Sequence, residues 1–200
     1  MYPNLSKGLG ELEEGFSVKL KPGSTPYAIT TPRHVALPLM PKVKEELPRM
    51  EALGVISTVD IPTDWCAGIV VFPKPDGRIC MCANLMKLNE NVLQETYPLP
   101  KIDNLLAQIS ELKFFTKLNC NCGFWQEKLY PDSRLLTTFI TPFARFCFNR
   151  MPFGIKSAPK HYQKKMSQIL EGSEGHISII DDMFIHVKPR RNMTIDSKWS

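Results

Sequence analysis

Two adjacent carboxylates, Asp181 and Asp182, interrupt the apolar run Ile177-Ser178-Ile179-Ile180-Asp181-Asp182-Met183-Phe184-Ile185. A charge inside a run that reads as a half-buried strand has to be paired or metal-bound, because desolvating it alone is too costly. Two readings follow. One is a strand edge or turn tip that is merely acidic; the other is a β-turn-β tip presenting acid to divalent cations. Hard carboxylate oxygens suit magnesium, and two such ions about 4 Å apart would clamp an in-line phosphoryl displacement. The residues alone leave both readings open.

Thiols form the second chemical set: Cys66, Cys80, Cys82, Cys120, Cys122 and Cys147. The pairs Cys80-x-Cys82 and Cys120-x-Cys122 resemble half-sites for zinc. Zinc ribbons, however, space their ligands more widely and on turns, whereas alternate residues of a strand simply share a face. No zinc is expected. His34, His161, His176 and His186 lack mutual metal-ligand spacing and read as ordinary polar positions.

Composition narrows the setting. A chain of 200 residues, 43% hydrophobic and 22% charged, reads as one globular domain or two small subdomains sharing a core. A net charge of +5 permits a polyanionic partner without demanding one. The longest apolar run, Ala67 to Phe72 broken by Gly68, is too short to span a bilayer, and residues before Gly8 carry no apolar export signal. The expectation is an intracellular, non-membrane protein with reduced thiols.

The elements that must position these groups alternate in type. Residues 1–35 are punctuated by Gly and Pro and read as irregular. Val43, Leu47, Met50 and Leu53 recur at helical spacing from Pro41, and Gly54 ends the helix. Val55 to Val59 and Gly68 to Phe72 are β-branched strand runs, and Pro73 to Arg78 is a hairpin turn with two cations, followed by a third strand. Tyr97 to Pro100 reads as an extended linker, Ile102 to Leu112 as a short amphipathic helix, and Phe114 to Asn119 as a strand. Leu135 to Ile140 and Ala144 to Asn149 form a hairpin. Ser157-Ala158-Pro159 starts a helix with Tyr162, Met166, Ile169 and Leu170 on one side. Such alternation makes an α/β or α+β domain.

An ordered series of motifs decides between the readings of the acidic pair. They are Pro62-Thr63-Asp64-Trp65-Cys66-Ala67, Pro73-Lys74-Pro75-Asp76-Gly77, Leu85-x-Lys87-Leu88-Asn89, Tyr97-Pro98-Leu99-Pro100 and residues 135–143. Residues 145–159, ending Pro152-Phe153-Gly154-Ile155-x-Ser157-Ala158-Pro159, and Ile180-Asp181-Asp182 complete the series. The series resembles the reverse transcriptase domain of gypsy-like LTR retrotransposon polyproteins over residues 26–188. The resemblance implies an α+β right-hand polymerase, with fingers at 26–93 and 127–157 and palm at 94–126 and 158–188. The palm would be an antiparallel sheet backed by helices, with a lead-in at 1–25, a non-homologous tail at 189–200 and no thumb. It further implies RNA-directed DNA polymerisation by two-metal nucleotidyl transfer. Magnesium would sit on Asp181 and Asp182, the partners being an RNA or DNA template-primer and a dNTP. Phe124 corresponds to the aromatic sugar gate, and Phe153 and Gly154 to the loop shaping the base pocket.

Departures from the family pattern fall on its chemistry. Where the family reads Lys-Leu-Asp-Ala-Asn-Ser-Gly-Phe-Trp-Gln, this chain has Lys117-Leu118-Asn119-Cys120-Asn121-Cys122-Gly123-Phe124-Trp125-Gln126, so Asn119 takes the slot of the first catalytic acid. An amide offers one neutral oxygen and cannot bridge two cations. In the nucleotide-binding strand Arg78 keeps one cation, but Cys80 replaces the arginine expected at the triphosphate, and a thiol is no bidentate charged donor. Asn84 stands for a structural aspartate. Asp to Asn and Arg to Cys are each one transition in the code, the pattern of decay. One back-translation of Asn192 to Ser197, read one frame away, spells His-Asp-Asp-Arg-Leu, so a frame shift near Pro189 is expected to have ended the resemblance. These departures imply a catalytically dead copy; the alternative is a non-catalytic nucleic-acid-binding or interfering protein on the same fold.

Overall fold

The computed structural model describes residues 8–94, 97–99, 115–120, 122–173 and 175–186. The helix read at Ile102 to Leu112 and the tail from Pro189 onward lie outside them.

Helix α1, Met40–Ala52, begins with Pro41 in its first turn, where a missing N–H costs nothing. Its buried face is Val43, Leu47 and Met50, and the chain leaves it at Gly54, with φ +66°. Strand β1, Ile56–Thr58, is followed by β2, Ala67–Pro73, and β3, Ile79–Ala83. β2 and β3 form the expected hairpin, closed by Lys74 N–H to the Arg78 carbonyl at 2.8 Å. Helix α2 is Met86–Asn91. Strand β4 is Phe115–Asn119, β5 is Phe139–Ile140, and β6 is Arg145–Phe148. Helix α3 spans Ala158–Ile169, and the chain closes with β7, His176–Ile179, and β8, Asp182–His186.

Two sheets result. The larger has the order β1-β6-β5-β2-β3, antiparallel except where β2 runs parallel to β5. The smaller is antiparallel, with the order β4-β8-β7. Segregated sheets and helices make this the expected α+β class. The core between them is continuous: Val43, Met50, Ile56, Phe139, Met151 and Tyr162 are all buried in it.

Three details differ from the sequence reading. Leu135–Thr137 is a 3₁₀ turn rather than strand, because Thr137 and Thr138 hydroxyls donate to the Arg134 and Leu135 carbonyls at 2.6 and 2.7 Å. Such local bonds compete with a sheet ladder. On α3, Tyr162 and Met166 are buried but Ile169 is 56% exposed, and Gln163 takes a buried place instead. The lead-in is irregular yet packed: Phe16 and Val18 are buried, and Phe16 pairs with Leu129 in an isolated parallel bridge.

Candidate active site

The smaller sheet positions the acids. β7 and β8 are joined through Ile180 and Asp181, with Ile179 and Asp182 as the last pair of the ladder. Asp182 thus belongs to the strand and only Asp181 sits on the turn. Ile180 has φ +52°, a genuine outlier for a β-branched side chain. Strain of this kind, on the order of 1–3 kcal/mol, persists only where surroundings over-determine it. Here Ile180 N–H donates to Gln163 Oε1 at 2.7 Å, and Cys120 N–H donates to the Asp181 carbonyl at 2.8 Å. Gln163, buried on α3, therefore holds the acidic turn; its side chain also donates to the Ser178 carbonyl at 3.3 Å.

Across the sheet, Asn119 pairs with Asp182 and Lys117 with Phe184. Period two puts Lys117 and Asn119 on one face. Asn119 Nδ2 donates to Asp182 Oδ1 at 2.9 Å, and Lys117 Nζ meets Asp182 Oδ2 at 2.9 Å. Both carboxylate oxygens are thereby engaged. The Asn119 amide first, and Lys117 second, hold the Asp182 carboxyl below its usual pKa. The structure brings Asn119 to Asp182 by its side chain; the contact near Asp181 is a main-chain one, from Cys120.

Tyr162 lies buried beneath this end of the sheet, its hydroxyl pKa raised by burial first, then by Cys120, Asp181 and Glu127. Gly123 packs on it so closely that a Cβ would stand 2.7 Å from the hydroxyl. The turn Gly123–Gln126 then presents Phe124, whose ring meets Tyr162 edge-on at 5.3 Å and Phe153 at 5.1 Å. Phe124 and Phe153 are thus neighbours. Gly154 follows with φ +93°, a conformation other residues adopt only under strain. Asn89 clamps this loop, donating to the Gly154 carbonyl at 2.7 Å and accepting from Lys156 N–H at 2.8 Å.

Arg78 and Cys80 lie on the other sheet, at the tip and on the strand of its hairpin. The Arg78 guanidinium folds back on Asp76, with Nε to Oδ2 at 2.8 Å. Cys80 and Cys82 share a face of β3, Sγ atoms 3.7 Å apart, while Cys120 and Cys122 follow β4. Among the described residues no three His, Cys, Asp or Glu side chains converge as a metal site.

Two arrangements escaped the sequence reading. Glu127 is fully buried, and its Oε1 meets His161 Nε2 at 2.5 Å; 34 residues separate the partners, so no local pattern announces them. Arg33 lies over Gly68, and both its terminal nitrogens reach the Asn84 amide oxygen at 3.1 Å, with that amide oriented toward it. A forked cation on a single neutral oxygen is the geometry a carboxylate would complete.

Comparison with known proteins agrees with this architecture. The profile of the "Reverse transcriptase (RNA-dependent DNA polymerase)" family matches residues 72–196. The chain is 34% identical over 113 residues to the Enzymatic polyprotein of Cestrum yellow leaf curling virus, which is 56% of this chain and 18% of that one. It is 35% identical over 101 residues to the Retrovirus-related Pol polyprotein from transposon 412 of Drosophila melanogaster, 50% of this chain and 8% of that one. The chain spans less than a fifth of the length of these relatives. In fold it superposes on the foamy viral protease-reverse transcriptase in complex with RNA/DNA hybrid, with a TM-score of 0.77 at 17% identity. That match covers 90% of this chain and 24% of the other. Among the described residues no helix is long and apolar enough to cross a membrane.

Proposed function

Since this chain belongs to the reverse transcriptase (RNA-dependent DNA polymerase) family, we propose that it is the fingers and palm of a gypsy-like element's polymerase whose own nucleotidyl transfer is silent. Fingers are residues 26–93 and 127–157, and palm is 94–126 and 158–188. The partners are an RNA or DNA template-primer and a dNTP, with Phe124, Phe153 and Gly154 forming the floor of the nucleotide pocket.

The observation that carries the reading is the pair of contacts on Asp182, from the Asn119 amide and the Lys117 ammonium. The family's chemistry calls for divalent ions held by a carboxylate trio. The donor set here does not fit them. Asn119 turns an N–H, not an oxygen, toward Asp182, and Lys117 supplies the positive charge a cation would bring. A carboxylate at 119 would stand against Asp182 and need metal to relieve the repulsion; the amide removes that need. Cys80 removes a second cation from the strand that would face a triphosphate. Electrostatic stabilisation of the phosphoryl transition state is the main contribution such a site makes, so its loss abolishes turnover without unfolding the sheet. Residual affinity for template-primer would rest on backbone phosphates and weaken with salt.

The test is primer extension on an RNA template with magnesium or manganese. The purified chain is expected to give no product, and Asn119→Asp with Cys80→Arg to give product only when a gypsy-like thumb is fused after residue 188. Robust extension by the unmodified chain refutes the silent-site reading. Failure of the fused double variant assigns the defect to further drifted positions such as Asn84 or Cys122.

A further inference from the structure

We propose that Cys80 and Cys82 form a two-thiol binding site for a soft monovalent cation, copper(I), unrelated to nucleotidyl transfer. The inference stands on placement. Both thiols project from the same face of β3, opposite Phe72 and Val70 of β2, because alternate strand residues share a face. Their sulfurs are 3.7 Å apart, and both residues are only partly buried, so an ion from solvent reaches them. The other face, bearing Ile79 and Ala83, is turned into the core and anchors the strand. The hairpin thus sets the two sulfurs side by side, within hydrogen-bond distance of each other.

The donor count selects the ion. Among the described residues no third His, Cys, Asp or Glu joins the pair. Zinc, which takes four ligands, is unsuited; thiolate pairs select soft copper(I). Binding replaces two S–H bonds by two S–Cu bonds and releases two protons to solvent, leaving a bis-thiolate complex of charge −1. Lys74, at the adjacent turn, acts electrostatically on Cys82 in the direction that favours its thiolate. Burial first, and the neighbouring Cys80 second, nevertheless push the Cys82 thiol up to about 11. No redox change is involved, since the ion is supplied as copper(I).

The reduced full chain is titrated without oxygen with copper(I), delivered as its acetonitrile complex, against a chromophoric copper(I) chelator. One ion per chain is expected, with two sulfur scatterers in the copper X-ray absorption spectrum. Even outer-sphere changes cost metal sites about 10–100-fold, so Cys80→Ser and Cys82→Ser should each weaken binding at least about tenfold. Cys82→Ala should do the same with an unchanged circular dichroism spectrum, separating lost sulfur from lost fold. Cys120→Ser with Cys122→Ser should leave binding intact. Binding that survives Cys82→Ser, that is lost with the Cys120/Cys122 variant, or that never competes with the chelator overturns the proposal.

Discussion

Gly123→Ala is the sharpest probe of how this site is assembled. An added Cβ would lie 2.7 Å from the Tyr162 hydroxyl, 3.0 Å from its Cζ and 3.4 Å from Cys120 Cβ. Ordinary contact begins at 3.4 Å, so something must move by about 0.7 Å, the gap between 2.7 and 3.4 Å. Neither side is free to do so. Tyr162 is fully buried and wedged against Phe124, while the 3₁₀ turn carrying Gly123 also seats Trp125 in the core. Gly123 itself has no positive φ, so the whole penalty comes from contact. Overpacking of this kind costs about 1–3 kcal/mol. For a chain of this size that lowers the melting temperature by roughly 2–4 °C per kcal/mol. Tyr162→Phe removes the nearest atom, and its hydroxyl makes no hydrogen bond of ordinary geometry among the described residues, though the Cys120 thiol lies beside it. That variant alone should be close to neutral, and the double variant should recover about half the loss or more, a coupling on the order of 1 kcal/mol. Urea unfolding followed by tryptophan fluorescence measures all three variants. A Gly123→Ala protein within about 0.5 kcal/mol of the parent, the range of an uneventful surface change, would refute the packing argument. So would a loss that Tyr162→Phe leaves untouched.

Other perturbations test the remaining contacts. Asn84→Asp should complete the fork offered by Arg33 and raise stability by about 1 kcal/mol, since charge-assisted bidentate pairs outweigh neutral ones; the gain should vanish in an Arg33→Ala background. The Asp182 carboxyl is depressed in the fold, so its stabilisation is present above the unfolded carboxylate pKa of about 3.9 and fades as pH falls through the lower folded value. Asn119→Ala removes the largest cause, and carbon NMR titration should show the Asp182 pKa moving up toward the ordinary range. Gly154→Ala forces a Cβ onto φ +93° with no steric neighbour closer than 4.0 Å, so any cost, roughly 1–2 kcal/mol, is backbone strain. It should loosen the Phe153 loop, which limited proteolysis would report.

The contacts on Asp182 and at Asn84 share a pattern. Each sets a neutral amide beside a cation: Asn119 and Lys117 share the Asp182 carboxylate, and Asn84 alone faces the Arg33 fork. An asparagine has nearly the shape of an aspartate without its charge, so a fold can hold either at such a position. The sheet, the strained turn at Ile180 and the Phe124–Phe153 contact surround the group formed by Asn119, Lys117 and Asp182.

Much of this was legible before any coordinates. Helical spacing over Val43, Leu47 and Met50, the hairpin around Lys74 to Arg78, and an acid pair inside an apolar strand run are local signals, governed by backbone period and turn chemistry. They narrow the class to α/β or α+β, and the ordered motifs add the family and with it the α+β choice. Local signals could not place the turn on Ile180 and Asp181 rather than on the two acids. Nor could they show Gln163 holding it, because that depends on α3 packing behind β7. The burial of Glu127 against His161 and the fork of Arg33 on Asn84 are likewise set by partners distant in the chain, whereas the Leu135–Thr137 turn comes from local threonine hydroxyl bonds that outweigh a strand-like pattern. Sequence determined which groups were present, Asn119, Lys117 and Asp182 among them. The tertiary structure alone decided which of them meet, because cross-strand register sets Asn119 and Lys117 on the two oxygens of Asp182.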